Sequence, residues 1–324
     1  MHKALILLSP QNDPQQELSH GITEALPGML LTHVHTADQA LEQIYDAELL
    51  FTYSPSISPQ LLAAAPELRW IQLLGSGLDG VLKAAAPWPE LLITSAKGAQ
   101  AEPVSEAVLA FLFALSRQIP RLVDNQAARL WERWPARLLN GSTVMVVGVG
   151  AISASLAPKC RALGMRTVGF SSAPREVTGF DEMHPLSQLG ERIHEADYLV
   201  MLTPLSDRTR SLVNRELLAS MRQAACLINV GRGGVVDENA LAEALQSGHL
   251  AGAALDVFTE EPLPASSPLW DCPTMLISPH LGGLNTGYAR DLLPILRHNI
   301  DCYLAGDISR MRNVVSQQIQ GSAG

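Results

Sequence analysis

The sequence predicts an α/β protein made of two doubly wound, Rossmann-like domains with parallel sheets. Three observations predict it. Short apolar runs alternate with stretches of helical periodicity along most of the chain, the pattern of a parallel sheet covered by helices. At 324 residues the chain is long enough for two domains of ordinary size. Finally, Thr143–Val147 holds only β-branched or large apolar side chains, and Gly148 and Gly150 follow it directly. A strand buried on both faces, a glycine turn and a helix candidate over 151–163 is the context in which a dinucleotide fingerprint becomes credible.

Taken in order, residues 4–8, 30–34, 49–53, 70–74 and 91–94 read as strands. Between them, 22–26, 37–45 and 59–65 read as helices. Gly75-Ser-Gly77-Leu-Asp79-Gly80 follows the fourth strand, where successive backbone N–H groups can hold a carboxylate. Residues 102–119 form a long helix, because Val104, Val108, Phe111, Leu112, Leu115 and Ile119 recur at helical spacing. Pro120 and the Trp131/Trp134 pair mark a change of direction, and Trp131 reads as a packing residue. A second series of strands then falls at 143–147, 168–170, 198–202, 227–230, 253–257 and 275–277, with Pro158 expected to bend the first helix. A helix over 288–305 closes the chain, and its apolar positions need a partner surface. We expect it to cross back, giving a discontinuous domain of residues 1–98 plus 286–324 and a dinucleotide domain of 99–285. The tail 316–324 is expected to fray.

Composition narrows the function. The net charge is −9 and no basic block is present, which argues against nucleic acid as a partner. The N-terminal apolar run is too short for a signal peptide, and 107–115 is far short of a membrane span. Cys160, Cys226, Cys272 and Cys302 lie far apart with no C-x-x-C, so they read as reduced and buried, and the protein as cytoplasmic with no membrane partner. His33 and His35 share one strand face, but no third ligand accompanies them. They read as a packed or surface pair, and no metal is expected. His184, His194 and His249 lie in loops or helices without a partner pattern.

In the fingerprint, Gly148 permits the tight turn and Gly150 admits a diphosphate close to the helix N-terminus. Ser153 stands where a third glycine is usual. About 20 residues beyond these glycines a carboxylate would bind the ribose hydroxyls of NAD. Instead the chain carries Ser171, Ser172 and Arg175. Two hydroxyls and a guanidinium suit a 2′-phosphate, so NADPH is expected in preference to NADH, with NADH possible as a cofactor.

Three strand ends then carry reactive groups. Arg232 follows the strand at 227–230, where a guanidinium can hold a carboxylate in bidentate fashion. Asp256 and Glu261 follow the next strand, and His280 the one after. Such carboxyl ends border the ligand crevice of open α/β sheets, and a His held by a Glu can exchange a proton near neutral pH.

The run from Asn229 to Leu241 (NVGRGGVVDENAL), Asp256-Val-Phe-x-x-Glu-Pro262 and Ser278-Pro-His-Leu-Gly-Gly283 resembles the D-isomer-specific 2-hydroxyacid dehydrogenases. The segment from Leu202 to Val213 is similar to that family's segment around the cofactor. The resemblance implies two domains with a cleft between them and hydride transfer to a short 2-oxo acid of the glyoxylate or hydroxypyruvate kind. It implies Arg232 on the substrate carboxylate and 2-oxygen, His280 as acid/base and Glu261 as the group that orients it. Asp256 would hold the nicotinamide carboxamide, and the backbone at Ser76 and Gly77 would face the substrate carboxylate. Gly148, Gly150, Ala151 and Ile152 would surround the diphosphate, with Thr203, Pro204, Val230, Gly231 and Gly282 elsewhere along the cofactor. Members are commonly homodimers, and the helix at 102–119 with the segment after it is the expected interface. Glu261-Pro262 stands where the related formate dehydrogenases carry Gln-Pro. Phosphoglycerate dehydrogenases often carry an extra regulatory domain, for which the chain offers no length. A non-catalytic dinucleotide sensor of the corepressor kind is the reading from another class.

Overall fold

A computed structural model describes residues 3–8, 13–173 and 175–315. The tail expected to fray lies outside the described residues. The chain divides into two compact units, Met1–Gln100 with Leu284–Gly324, and Ala101–Gly283.

The first unit contains β1 (Lys3–Leu7), α1 (Asp13–Ala25), β2 (Leu30–Val34), α2 (Ala37–Gln43), β3 (Leu49–Thr52), α3 (Pro59–Ala63), β4 (Trp70–Leu73), α4 (Val81–Ala85) and β5 (Leu92–Thr94). Its sheet runs β2-β1-β3-β4-β5 with every neighbouring pair parallel. Alternate residues feed two cores, as a period of two requires. Ala4, Ile6, Leu49, Phe51 and Trp70 join α1 on one face; Leu5, Leu7, Leu50, Ile71 and Leu73 join α2, α3 and α4 on the other.

The second unit opens with α5 (Ala101–Arg117) and α6 (Ile119–Ala127), followed by β6 (Thr143–Val147), α7 (Ala151–Ala162), β7 (Arg166–Ser171), β8 (Glu182–Pro185) and α8 (Leu189–Arg192). It continues through β9 (Tyr198–Met201), α9 (Arg215–Ser220), β10 (Cys226–Asn229), α10 (Glu238–Gln246), β11 (Gly252–Leu255) and β12 (Met275–Ile277). The seven-stranded sheet runs β12-β11-β10-β9-β6-β7-β8, again parallel throughout. Chain order therefore reverses between β6 and β9, the switch point at which such sheets bind ligands beyond their carboxyl ends. α5 and α7 cover one face through Val104, Val108, Leu112, Leu156 and Cys160. α8, α9 and α10 cover the other through Leu189, Leu218 and Leu241. The chain then returns to the first unit as α11 (Tyr288–Leu304), whose Leu292, Leu296 and Ile300 pack in the same core as Leu18 and Ile22 of α1. Among the described residues no helix is long and apolar enough to cross a membrane. All four cysteines are buried and unpaired.

Several elements differ from the sequence expectation. α1 begins at Asp13 rather than at Ile22, where its apolar stretch starts. The long helix stops at Arg117 because Gln118 is left-handed (φ 53°), and Pro120 sits in the first turn of a new helix, α6, where its missing N–H costs nothing. α7 carries Pro158 within it, as the sequence predicts, and the ring lies beside Gly179, where a side chain would collide with it. Trp131 does not pack within the chain; it is 93% exposed. His184 lies on a strand rather than in a loop or helix. β8 has too few apolar residues to read as a strand, and ion pairs hold it at the sheet edge. Arg166 of β7 meets Glu182 at 2.5 Å and Glu195 at 3.0 Å, while Arg192 meets the same two acids at 2.8 and 2.9 Å. His184 pairs with Glu182 at 3.0 Å. Hydrogen bonds from Arg166, His184 and Arg192 hold the Glu182 carboxyl at about 2. His33 bonds the hydroxyl of Ser19 at 3.0 Å, and the His35 ring meets the Leu8 carbonyl at 2.8 Å.

Candidate active site

The register of the second sheet sets three loops side by side. Asn229 pairs with Leu255, and Leu255 with Ile277, so the residues after β10, β11 and β12 leave the same edge. Asn229, fully buried, shapes the first loop. Its amide donates to the Arg232 carbonyl at 2.9 Å, and its Oδ1 accepts the Gly231 N–H at 3.0 Å. Arg232 is half-buried, and its guanidinium donates to the Gly231 carbonyl at 2.7 Å.

The second and third loops meet through two carboxylates. Asp256 is buried, and both its oxygens face the turn that carries His280. Oδ1 accepts from Ser278 Oγ at 2.5 Å and from Leu281 N–H at 2.8 Å; Oδ2 accepts from Gly282 N–H at 2.9 Å. With one donor on Oδ2, capacity remains for a second, such as the amide expected there. His280 adopts φ 55°, a left-handed conformation costing a non-glycine residue about 1–2 kcal/mol, and the Asp256 bonds hold the turn that imposes it. Glu261 fixes the ring. Its Oε2 lies 2.8 Å from His280 Nδ1, and its Oε1 accepts the Phe258 N–H at 2.9 Å. Nε2 therefore faces outward on an exposed imidazole, with no partner among the described residues. An imidazole fixed at Nδ1 and open at Nε2 can give or take a proton.

Two features here were beyond sequence reasoning. Gly233 packs directly on the backbone of Phe258 and Thr259, so a methyl group there would overlap main-chain atoms. Glu238 accepts both the N–H and the hydroxyl of Thr259, at 2.6 and 2.7 Å. Neither pairing has a local signal, because the partners lie more than 20 residues apart.

The residues around the fingerprint fit a dinucleotide. Gly148 has φ 100°, and a side chain on it would strike the backbone of Leu202 and Thr203. Gly231 is equally close to the Thr203 backbone. At Gly150 the space a side chain would fill is open. Ala151 and Ile152 occupy the first turn of α7, where N–H groups have no acceptor within the helix. Thr203 Oγ1 is buried without a hydrogen-bond partner among the described residues. Ser153 fits where a third glycine is usual. It is fully buried, accepting the Gly150 N–H at 2.7 Å and donating to the Gly150 carbonyl at 2.9 Å. Gly231 is buried beside Thr203, Val230 is buried just before it, and Pro204 is exposed after Thr203. Ser171 ends β7; Ser172 and Arg175 are exposed beyond it, and Arg175 makes no ion pair among the described residues. Ser76 and Gly77 belong to the first unit, after β4, where Ser76 Oγ donates to Gln100 Oε1 at 2.6 Å.

The profile of the D-isomer specific 2-hydroxyacid dehydrogenase NAD binding domain matches residues 109–282. A D-3-phosphoglycerate dehydrogenase of Methanocaldococcus jannaschii is 30% identical over 94% of this chain, which spans 58% of that protein's length. A crystal structure of a D-isomer specific 2-hydroxyacid dehydrogenase family protein from Aeromonas salmonicida superposes with a TM-score of 0.86 at 31% identity, covering 97% of this chain and 99% of that one. The NADPH-dependent glyoxylate/hydroxypyruvate reductase of Sinorhizobium meliloti, solved with NADP and sulfate, gives 0.84 at 26% identity over 98% and 99%. The chain belongs to the D-isomer-specific 2-hydroxyacid dehydrogenase family.

Proposed function

We propose that the protein reduces a short 2-oxo acid, of the size of glyoxylate or hydroxypyruvate, to the D-2-hydroxy acid with NADPH in preference to NADH. The observation that carries this reading is the 2.8 Å Glu261–His280 contact, which leaves Nε2 open on the strand edge that also bears Arg232. His280 Nε2 delivers a proton to the 2-oxygen as negative charge builds there. Glu261 keeps the other ring proton on Nδ1 and offsets the charge on the imidazolium. Arg232 binds the carboxylate and polarises the 2-carbonyl, and the backbone at Ser76 and Gly77 is assigned to the carboxylate on the family resemblance. A bound nicotinamide supplies the hydride.

The NADPH preference rests on Ser171, Ser172 and Arg175 at the end of β7, since residues 164–175 carry no acidic side chain to repel a 2′-phosphate. The S. meliloti relative, solved with NADP, supports it. Arg175→Ala should weaken NADPH binding about tenfold, as the loss of a charge-assisted bond would, and leave NADH within about twofold. An equal effect on both cofactors, measured by fluorescence titration, would remove this assignment.

The deciding experiment is a panel of glyoxylate, hydroxypyruvate, pyruvate, phenylpyruvate and 3-phosphohydroxypyruvate with each cofactor, followed by loss of reduced nicotinamide absorbance. The phosphorylated acid is included because of the similarity to a D-3-phosphoglycerate dehydrogenase. Cofactor binding without turnover on any acid would point to a dinucleotide sensor.

The partner we propose is a second copy. Phe113, Leu122, Val123, Leu130, Trp131 and Leu138 are exposed along α5, α6 and the segment after them, large apolar side chains of the kind that an interface between protein chains covers. Light scattering should give twice the 34.9 kDa chain mass, and a monomer at micromolar concentration would refute the pairing.

A further inference from the structure

Glu261 reaches His280 from residues 256–262, a loop outside any helix or strand. Such a segment keeps one conformation only where other groups fix it. Its inner end is held by Asp256 and by the contact of Phe258 with Gly233. Its crest is held by Glu238, whose Oε1 accepts from both Thr259 N–H and Thr259 Oγ. The next N–H back along the chain, that of Phe258, binds Glu261 Oε1. Glu238 is itself firmly placed. It is the first residue of α10, whose cap Asp237 accepts the Ala240 N–H at 3.0 Å and whose Ala240, Leu241 and Leu245 lie in the core.

We propose that Glu238 is a positioning residue for the Glu261–His280 pair, transmitting the rigidity of the α10 core to the loop that presents Glu261. The inference rests on the reading that this pair moves the proton. Both Thr259 donors converge on a single oxygen, so an acceptor is needed rather than a charge, and glutamine supplies the same oxygen. A purely structural acid at a helix N-terminus behaves otherwise, since it acts through its charge on the helix and its loss leaves the imidazole where it was.

The test uses the full chain labelled with 15N-histidine, comparing Glu238→Ala, Glu238→Gln and Glu261→Gln. The readouts are the His280 Nδ1–H resonance without substrate, and kcat and KM for the best acid of the panel. Glu238→Ala should shift or broaden the resonance and lower kcat roughly tenfold with KM within about twofold, as misplacement of a proton donor does. Glu238→Gln should restore both. A wild-type resonance in Glu238→Ala overturns the proposal whatever happens to thermal stability, and so does a Glu238→Gln variant as impaired as the alanine. Glu261→Gln separates the two layers. If it leaves resonance and turnover unchanged, the reading of the pair has failed. If it disturbs both while Glu238→Ala disturbs neither, only the role of Glu238 has failed.

Discussion

Replacing His280 by alanine should lower kcat about a thousandfold, the middle of the range for removing a positioned proton donor. Cofactor affinity should stay within about twofold of wild type, because the imidazole contributes only once charge develops on the substrate oxygen. The geometry makes the expectation specific. Asp256 holds the His280 turn through three hydrogen bonds, two to backbone N–H groups and one to the Ser278 hydroxyl, and Glu261 holds the ring through one, so nothing else in the turn presents a proton at the same place. Steady-state rates with saturating NADPH, together with a titration of cofactor binding, check both halves. A variant with near-normal kcat would remove His280 from the chemistry.

Replacing Gly233 by alanine should be almost as damaging, for a different reason. The added methyl overlaps the carbonyl of Phe258 and the amide nitrogen of Thr259, main-chain atoms that cannot rotate away as a side chain can. Either the Arg232 loop or the Glu261 loop must move, and both carry groups assigned to the reaction. Overpacking of this kind costs about 1–3 kcal/mol of stability, and a displacement near 1 Å costs on the order of a hundredfold in rate. Gly234→Ala is the control, since its nearest neighbours are the methyl carbons of Leu205 at 3.3 Å, which can give way. Thermal unfolding and kcat/KM should both fall for Gly233→Ala and barely change for Gly234→Ala. Equal effects of the two would mean that the contact with Phe258 is not what fixes the loops.

Much of this was legible in the sequence because buried parallel strands are written as continuous apolar runs. β6, β9, β10 and β11 have no polar face to obscure them, and all their residues are buried. β8 is the opposite case. Glu-Met-His-Pro becomes a strand because guanidinium and carboxylate groups distant in sequence meet across the sheet edge. α6 stands where the sequence predicts a break, because Pro120 signals a stop inside a helix and a start in a first turn; the left-handed Gln118 before it decides which.

The same division runs through the site. The sequence by itself determined the strand ends that carry Arg232, Glu261 and His280, since residue type and order along an alternating chain place them at consecutive carboxyl edges. It also determined the glycine turn before α7. Only the tertiary structure decided that Glu261 contacts the His280 ring, that Asp256 clamps the turn beneath it, and that Gly233 and Glu238 hold the loop between. Those contacts join residues far apart in the chain. Their geometry depends on how neighbouring strands align and how closely two loop backbones approach, and neither leaves a local pattern in the amino acids.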